Sequence, residues 1–153
     1  MPEMKDVRVV IVTALSLFAM YAMAEEAVTF TPNELKWKPT AGYPGREQAN
    51  IVGDLKKDGL YVTRVKLPPN YTLQAHSHPD DRTYTILSGT WYVGWGEKYD
   101  ETKLIPLPAG SFYIEHGKRP HFVATKEDGA TIQITGTGPS GQDFVDPAHG
   151  PKM

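Results

Sequence analysis

Apolar and polar residues alternate in short runs along most of the chain, and turn-forming residues separate the runs. Residues 60–67 show this most clearly, because Tyr61, Val65 and Leu67 fall on one side of an extended chain and Arg64 falls on the other. A period of two is typical of a β-strand with one buried face. Similar strand-like runs are predicted at residues 71–78, 82–87, 90–95, 104–107, 111–115, 121–125 and 131–135.

Turn signals divide these runs at intervals of about ten residues. The sequence Pro68-Pro69-Asn70 follows the first run, Pro79-Asp80-Asp81 follows the second, and Ser88-Gly89 is predicted to end the third. No stretch has helical periodicity, and no internal repeat is found. Short strands at this spacing predict an all-β sandwich or barrel, and 153 residues allow one domain of this kind.

The N-terminus has the pattern of a secretory signal peptide. Lys5 and Arg8 precede an apolar run over residues 9–24, which ends in the small-residue site Ala22-Met23-Ala24. The run is short for a spanning helix, so cleavage before Glu25 is favoured over an uncleaved anchor. We therefore expect a periplasmic or secreted protein of bacterial type, with no stable membrane insertion after cleavage.

This reading divides the chain into four parts: a signal peptide (1–24), an N-terminal arm with edge strands (25–57), a barrel core (58–136) and a C-terminal tail (137–153). Composition narrows the possible functions. Sixteen basic and 18 acidic residues give a net charge of −2, which provides no electrostatic surface for nucleic acid. The chain has no cysteine, so disulfides, thiolate ligands and cysteine nucleophiles are excluded.

Three histidines suggest a metal site. His76 and His78 are two residues apart within a predicted strand, so their rings should point to the same face, and His121 opens another strand. Neutral imidazoles suit divalent transition metals such as Fe, Zn, Cu, Ni or Mn. Paired histidines on a strand can equally lie on the surface, so spacing alone leaves both readings open.

The spacing around these histidines resembles the two sequence motifs of the cupin superfamily. The first motif is Gly, five residues, His-x-His, a Glu and a Gly, and it matches Asn70, His76, His78, Arg82 and Gly89 at every interval. The second motif matches Gly110, His116, Lys118, His121 and Thr125. The resemblance covers roughly residues 58–136. It implies a cupin jelly-roll barrel and a metal held by His76, His78 and His121.

Arg82 is the main departure, because it stands where the resemblance implies a glutamate ligand. Three explanations are open. The metal site could use three histidines alone, as in cupins that cleave diketones or thiols with dioxygen. A nearby carboxylate could replace the glutamate, with Asp81 as first choice and Glu115 or Asp80 after it. The third explanation is that the metal has been lost and the histidines line a polar pocket.

The predicted function follows from this resemblance. We expect an exported metal-binding cupin that acts as a three-histidine oxygenase on a small organic molecule, with a non-catalytic binding or sensing module as the alternative. Arg82 would pair with Asp80 or Asp81, or orient an anionic substrate. Tyr84 and Gln133 are predicted to face the cavity as further catalytic residues. Pairing of two barrels into a homodimer is expected through exposed edge strands.

Overall fold

The computed structural model describes residues 26–151, and the predicted signal peptide lies outside them. The described chain is an all-β structure with three single 3-10 turns, at Pro32–Glu34, Glu101–Lys103 and Pro147–His149. None of its helices is long and apolar enough to cross a membrane. Its ten strands are β1 (Lys38–Pro39), β2 (Glu47–Val52), β3 (Gly59–Leu67), β4 (Thr72–Ser77), β5 (Arg82–Trp95), β6 (Ile105–Pro108), β7 (Phe112–Glu115), β8 (His121–Ala124), β9 (Ala130–Gly138) and β10 (Asp143–Phe144).

The strands form two antiparallel sheets that share the long strand β5. The first half of β5 pairs with β9 and β7, and β9 continues the sheet through β3, β2 and β1. The second half of β5 pairs with β6 and β8, and β8 continues through β4 to β10. Because one strand belongs to both sheets, the structure curls into a barrel-like shape around a single interior. The predicted all-β barrel is confirmed.

Strand β5 differs from the sequence prediction at Ser88-Gly89. These residues do not end a strand, because β5 continues through them with a shift of its register against β9. Gly89 has a φ of +69°, and a Cβ there would lie 2.2 Å from the carbonyl oxygen of Gly129. The glycine therefore permits a β-bulge and a close backbone approach, which bend the strand from one sheet into the other.

The core lies between the two sheets. In β3, Tyr61, Thr63, Val65 and Leu67 are buried, as the alternation of residues 60–67 predicts. They pack with apolar side chains of β5, β8 and β9 in one continuous cluster that includes Ile86, Trp91, Val93, Val123, Ile132 and Ile134. Continuous burial of this kind is the main stabilising term for a small all-β domain.

Candidate metal centre

A bulge in β4 turns both histidines of the His-x-His sequence toward the barrel interior. The pairing of β4 with β8 shifts its register between Leu73 and His76. Leu73 belongs to the buried core before the shift, and His76 and His78 are buried after it, although a regular strand would send positions 73 and 76 to opposite faces. The third histidine, His121, is the pairing partner of His76 on β8.

The three imidazoles converge on one point. His76, His78 and His121 each offer one ring nitrogen, and these atoms lie within 4.8 Å of one another. The ring centroids are 4.2 Å apart for His76 and His121, 5.0 Å for His76 and His78, and 5.2 Å for His78 and His121. Among residues 26–151 this is the group of side chains close enough to hold a metal ion.

Backbone carbonyls orient all three rings. The Nδ1 of His76 lies 2.7 Å from the carbonyl oxygen of Gln74, that of His78 lies 2.6 Å from Gly141, and that of His121 lies 3.4 Å from Arg119. A carbonyl only accepts, so Nδ1 carries the proton in each ring and Nε2 keeps its lone pair. Metal-binding histidines are commonly held in this way.

Burial also keeps the imidazoles neutral. It lowers the pKa of His121 to about 4 and holds the pKa values of His76 and His78 well below their usual range. The positive charge of Arg82 adds to the lowering at each of the three rings. Neutral rings at neutral pH can bind a metal without first losing a proton.

Glu115 supplies a carboxylate to the same point. It ends β7 directly opposite Arg82, and paired residues on neighbouring strands project to the same side of a sheet. Its Oε2 lies 3.3 Å from His121 Nε2, and its Oε1 lies 3.8 Å from His78 Nε2. Both oxygens are buried without a hydrogen-bond partner among the described residues. Burial raises the pKa of the Glu115 carboxyl to about 7, although the charge of Arg82 opposes the rise.

The donor set therefore fits a divalent transition metal. Three imidazole nitrogens and one carboxylate oxygen suit Fe, Zn, Ni or Mn, and a buried unpartnered carboxylate beside three neutral imidazoles is satisfied by a cation. Sequence reasoning ranked Glu115 behind Asp81. The signal that could have identified Glu115 is its position, at the end of the strand that pairs with Arg82.

Asp81 is not brought to the histidines, so its prediction as a metal ligand is wrong. Its side chain is 74% exposed, and it accepts a hydrogen bond of 2.7 Å from the backbone N–H of Gly117. It also lies 3.6 Å from the exposed ring of His116. Asp81 thus holds the turn that connects Glu115 to His121, and its contribution to the site is indirect.

Arg82 points into the barrel, but its charge is already balanced. Its Nη2 donates to Asp80 Oδ1 at 2.7 Å and to the hydroxyl of Ser140, while the Tyr61 hydroxyl donates to the other oxygen of Asp80. Pairing with Asp80 was one of the predicted outcomes, and it turns the terminal nitrogen of the guanidinium toward the C-terminal tail. Arg82 is therefore committed to an internal ion pair.

The other two predicted catalytic residues have different outcomes. Tyr84 is buried beside the histidines and stacks on Tyr113 at 4.4 Å between ring centroids, so it lines the cavity as predicted. Gln133 does not. Its neighbours Ile132 and Ile134 face the core, and Gln133 on the outer face accepts a hydrogen bond of 3.1 Å from Arg64. The prediction that Gln133 lines the cavity is wrong, because Ile132 and Ile134 on either side of it face the interior and strand alternation turns Gln133 outward.

Two connected spaces lead to the histidines. The inner cavity, beside the three histidines and Tyr84, has a volume of about 40 Å³. The outer pocket, about 280 Å³, is lined by residues of β2, β3 and the C-terminal tail. Arg46, His78, Arg82 and Gln142 line both spaces, so the outer pocket adjoins the site.

Comparison with solved structures shows which known folds this chain resembles. No protein-family model and no curated protein sequence matches the chain. Among solved structures, it is similar to the polyketide cyclase RemF from Streptomyces resistomycificus, with a TM-score of 0.65 and 13% identity over 79% of this chain and 87% of that one. An RmlC-like cupin from Shewanella frigidimarina gives a TM-score of 0.57 and 13% identity over 74% and 93%.

A third similar structure is salicylate 1,2-dioxygenase from Pseudoaminobacter salicylatoxidans in complex with gentisate. Its TM-score is 0.56, with 12% identity over 70% of this chain and 31% of that chain. Identities this low establish a shared architecture. The expected resemblance is thereby confirmed at the level of structure: this chain has the fold of the cupin superfamily.

Proposed function

We propose that this protein binds one divalent transition metal through His76, His78, His121 and Glu115 and uses it to transform a small organic molecule. The observation that carries the proposal is the convergence of three imidazole nitrogens within 4.8 Å of one another, beside a buried carboxylate that lies 3.3 Å from His121 Nε2 and 3.8 Å from His78 Nε2. A bound metal would supply a Lewis acid for a substrate oxygen, and a redox-active metal such as iron would also permit reaction with dioxygen.

The chain's own groups define the surroundings of the reaction. Tyr84 and the apolar core close the inner end of the cavity, which excludes bulk water. Burial raises the pKa of the Glu115 carboxyl to about 7 in the metal-free chain, so Glu115 would release its proton when it binds the metal. Oxygen-dependent cleavage remains our leading reaction class, supported by the three-histidine set and by the shared fold of salicylate 1,2-dioxygenase.

A non-catalytic binding module is the second candidate. The small volume of the inner cavity favours it, because about 40 Å³ accommodates an ion and little of a substrate. A protein that only captures a ligand in the outer pocket would need no space at the metal for a reacting atom.

The metal proposal is tested by measuring metal content after purification and after reloading with each candidate ion. We expect about one metal per chain in the wild type, a loss of bound metal in His76→Ala, and at least tenfold weaker binding in Glu115→Gln. Asp81→Asn is the matched control, because the amide oxygen still accepts from Gly117, and it should bind metal as the wild type does. A wild-type chain that retains none of these metals would overturn the proposal.

Oxygen consumption then separates the two candidates. Metal-loaded protein is incubated with a panel of diketones, thiols and phenols in an oxygen-electrode cell, with His76→Ala as the inactive control. Uptake that depends on both substrate and metal supports the oxygenase. Bound metal with no uptake across the panel favours the binding module.

Export belongs to the same proposal. Its support is the sequence of residues 1–24, and cleavage would deliver a mature protein to the periplasm or medium. Mass spectrometry of protein recovered from the periplasmic fraction should find a chain that starts near Glu25. A full-length chain confined to the cytosol would contradict export.

We also propose a homodimer. Strand β7 pairs on one side with β5, and its Phe112 and Ile114 side chains are 56% and 59% exposed. An apolar edge strand is a natural surface for pairing with a second copy. Light scattering should show a dimer that Ile114→Lys converts to a monomer, and a monomeric wild type at high concentration would rule the dimer out.

A further inference from the structure

Two arginines line the inner cavity, and only one of them has a carboxylate partner. Arg82 is paired with Asp80 at 2.7 Å. Arg46, which immediately precedes β2, takes part in none of the ion pairs found among residues 26–151, and its Nε is buried without a hydrogen-bond partner. A charged group whose buried N–H has no acceptor is costly, so such a group is typically retained where a ligand supplies the acceptor, and the Tyr43 ring, 4.9 Å from the Arg46 guanidinium carbon, offers only a weak cation–π contact.

Gln142 presents a second unused donor in the same place. Its Nε2 is buried without a partner, and the residue lines both the inner cavity and the outer pocket, as Arg46 does. Arg46 and Gln142 come from opposite ends of the chain, and each brings N–H donors to the passage between the two spaces. Two donors without an acceptor match an oxyanion.

We infer that Arg46 and Gln142 form a carboxylate-binding subsite, and that the substrate is a small monocarboxylate with an apolar body. This deepens the proposed function, because it names the substrate class for the same metal centre. Arg46 carries the one unpaired positive charge among the described residues that line the inner cavity, and a monoanion matches it there, whereas the exposed Lys56 lines only the outer pocket. Leu55, Val65 and Ile134 line the outer pocket beside these donors and would contact the apolar part of the molecule.

The position of the subsite fixes how the substrate enters. His78 lines the same two spaces as Arg46 and Gln142, so a carboxylate held by these donors places the adjoining carbon atoms next to the histidines. The subsite replaces the role that sequence reasoning gave to Arg82. Arg82 is less suited to that role, because the charge of Asp80 already balances its own at 2.7 Å.

Benzoate and its uncharged amide, benzamide, are the matched probes. Calorimetric titration is carried out on the apo and the metal-loaded full chain, with metal content measured for every variant. We expect wild type to bind benzoate at least tenfold more tightly than benzamide. Arg46→Gln should abolish this preference, and Arg46→Lys should retain part of it, because the charge remains while the planar fork is lost.

Two further variants keep the test independent of folding defects. Gln142→Leu removes the amide group of a residue in the tail, including its N–H donors, and should weaken benzoate binding severalfold. Arg64→Gln is the control, since Arg64 donates to Gln133 on the outer face, and it should bind benzoate as the wild type does. Metal content should be unchanged in all four variants.

The inference is overturned if wild type does not bind benzoate, if benzamide binds equally well, or if Arg46→Gln and Gln142→Leu both bind benzoate as tightly as wild type. These outcomes are separate from failure of the proposed function. A wild type without metal that still selects benzoate through Arg46 would refute the metal proposal and support the subsite.

Discussion

The histidine pocket and the apolar core are built from the same strands, but they treat buried polar atoms in opposite ways. In the core, the hydroxyl of Thr63 donates to the carbonyl oxygen of Ala49, and that of Thr125 donates to Pro68 while accepting from the backbone N–H of Tyr71. In the pocket, Arg46, Arg82, Glu115 and Gln142 account for five of the six buried side-chain atoms that lack a partner among the described residues.

This difference shows where the chain is organised for a ligand and where it is organised for stability. A buried polar atom without a partner costs about 1–3 kcal/mol, and native proteins contain few of them. Their concentration around three oriented imidazoles indicates that something other than the protein satisfies them. The pocket is therefore a region of reduced stability, and the core offsets it.

The largest expected effect comes from breaking the ion pair at the edge of the pocket. Asp80→Ala should lower the free energy of unfolding by about 3–5 kcal/mol, because Arg82 then remains buried with its charge unbalanced. Removing both groups in Asp80→Ala/Arg82→Met should cost less than Asp80→Ala alone. Urea unfolding of the single and double variants measures the coupling, and additive losses would mean that the pair does not act as a unit.

A change in the core should affect stability without affecting the pocket. Ile86→Ala should cost about 3 kcal/mol, since Ile86 is 1% exposed and its loss leaves a cavity. Metal content should stay at the wild-type level. Ile105→Ala is the control at an exposed position, since Ile105 is 49% exposed, and it should change stability by less than about 0.5 kcal/mol. Loss of metal binding in Ile86→Ala would show that the two regions are not separable.

The pH dependence of stability should reflect the pocket. Unfolding returns the three histidines from lowered pKa values to about 6.5, so the unfolded chain takes up protons between pH 6.5 and about 4. Glu115 acts oppositely, because its pKa falls from about 7 to 4.5 on unfolding and it releases a proton. Three groups outweigh one, so the free energy of unfolding of the apo protein should fall by about 2 kcal/mol per pH unit as the pH drops through this window.

Urea unfolding in the presence of a chelator, at steps of half a pH unit, measures this slope. His76→Ala should reduce this slope by the contribution of one proton, about 1.4 kcal/mol per pH unit, and this reduction would assign the effect to the pocket. A stability that is flat between pH 6.5 and 5 would contradict neutral, buried histidines.

The smallest expected effect is a gain of stability, whereas the substitutions described above reduce stability. At pH 8 without metal, Glu115 is ionised and buried, and burial raises its pKa to about 7 although Arg82 and Tyr84 oppose the rise, so Glu115→Gln should raise the free energy of unfolding by about 1 kcal/mol. The same substitution at exposed Glu127 is the control and should be neutral. A loss of stability in Glu115→Gln would mean that its carboxylate already has a stabilising partner in the apo protein.

The sequence predicted the strands and the three histidines because both follow from local rules. Alternation with a period of two located the strands, and spacing within the motifs located His76, His78 and His121. The bulge in β4 was not predictable from these rules. It depends on the pairing of β4 with β8, yet it determines that Leu73 and His76 both face inward.

The fourth ligand candidate depended on tertiary contacts as well. In β7 the apolar residues Phe112 and Ile114 face outward, while Tyr113 and Glu115 face inward. A rule that places apolar residues in the interior predicts that Phe112 and Ile114 face inward and that Glu115 faces solvent. This rule therefore gives no reason to expect Glu115 in the site. Similarly, strand alternation with Ile132 and Ile134 predicts that Gln133 faces the cavity, and the position next to Arg82 predicts Asp81 as a ligand, whereas register and turn geometry place both outside the site.

Residues 140–142, which follow β9, contact the site, so the geometry of the site depends on the C-terminal part of the chain. Ser140 accepts from Arg82, the carbonyl of Gly141 anchors the ring of His78, and Gln142 lines the passage to the cavity. Three consecutive residues of this segment therefore contact or line the site. Displacement of this segment would release one ring, one guanidinium group and one amide together, and it would also disturb the pairing of β10 with β4, because β10 begins at the next residue.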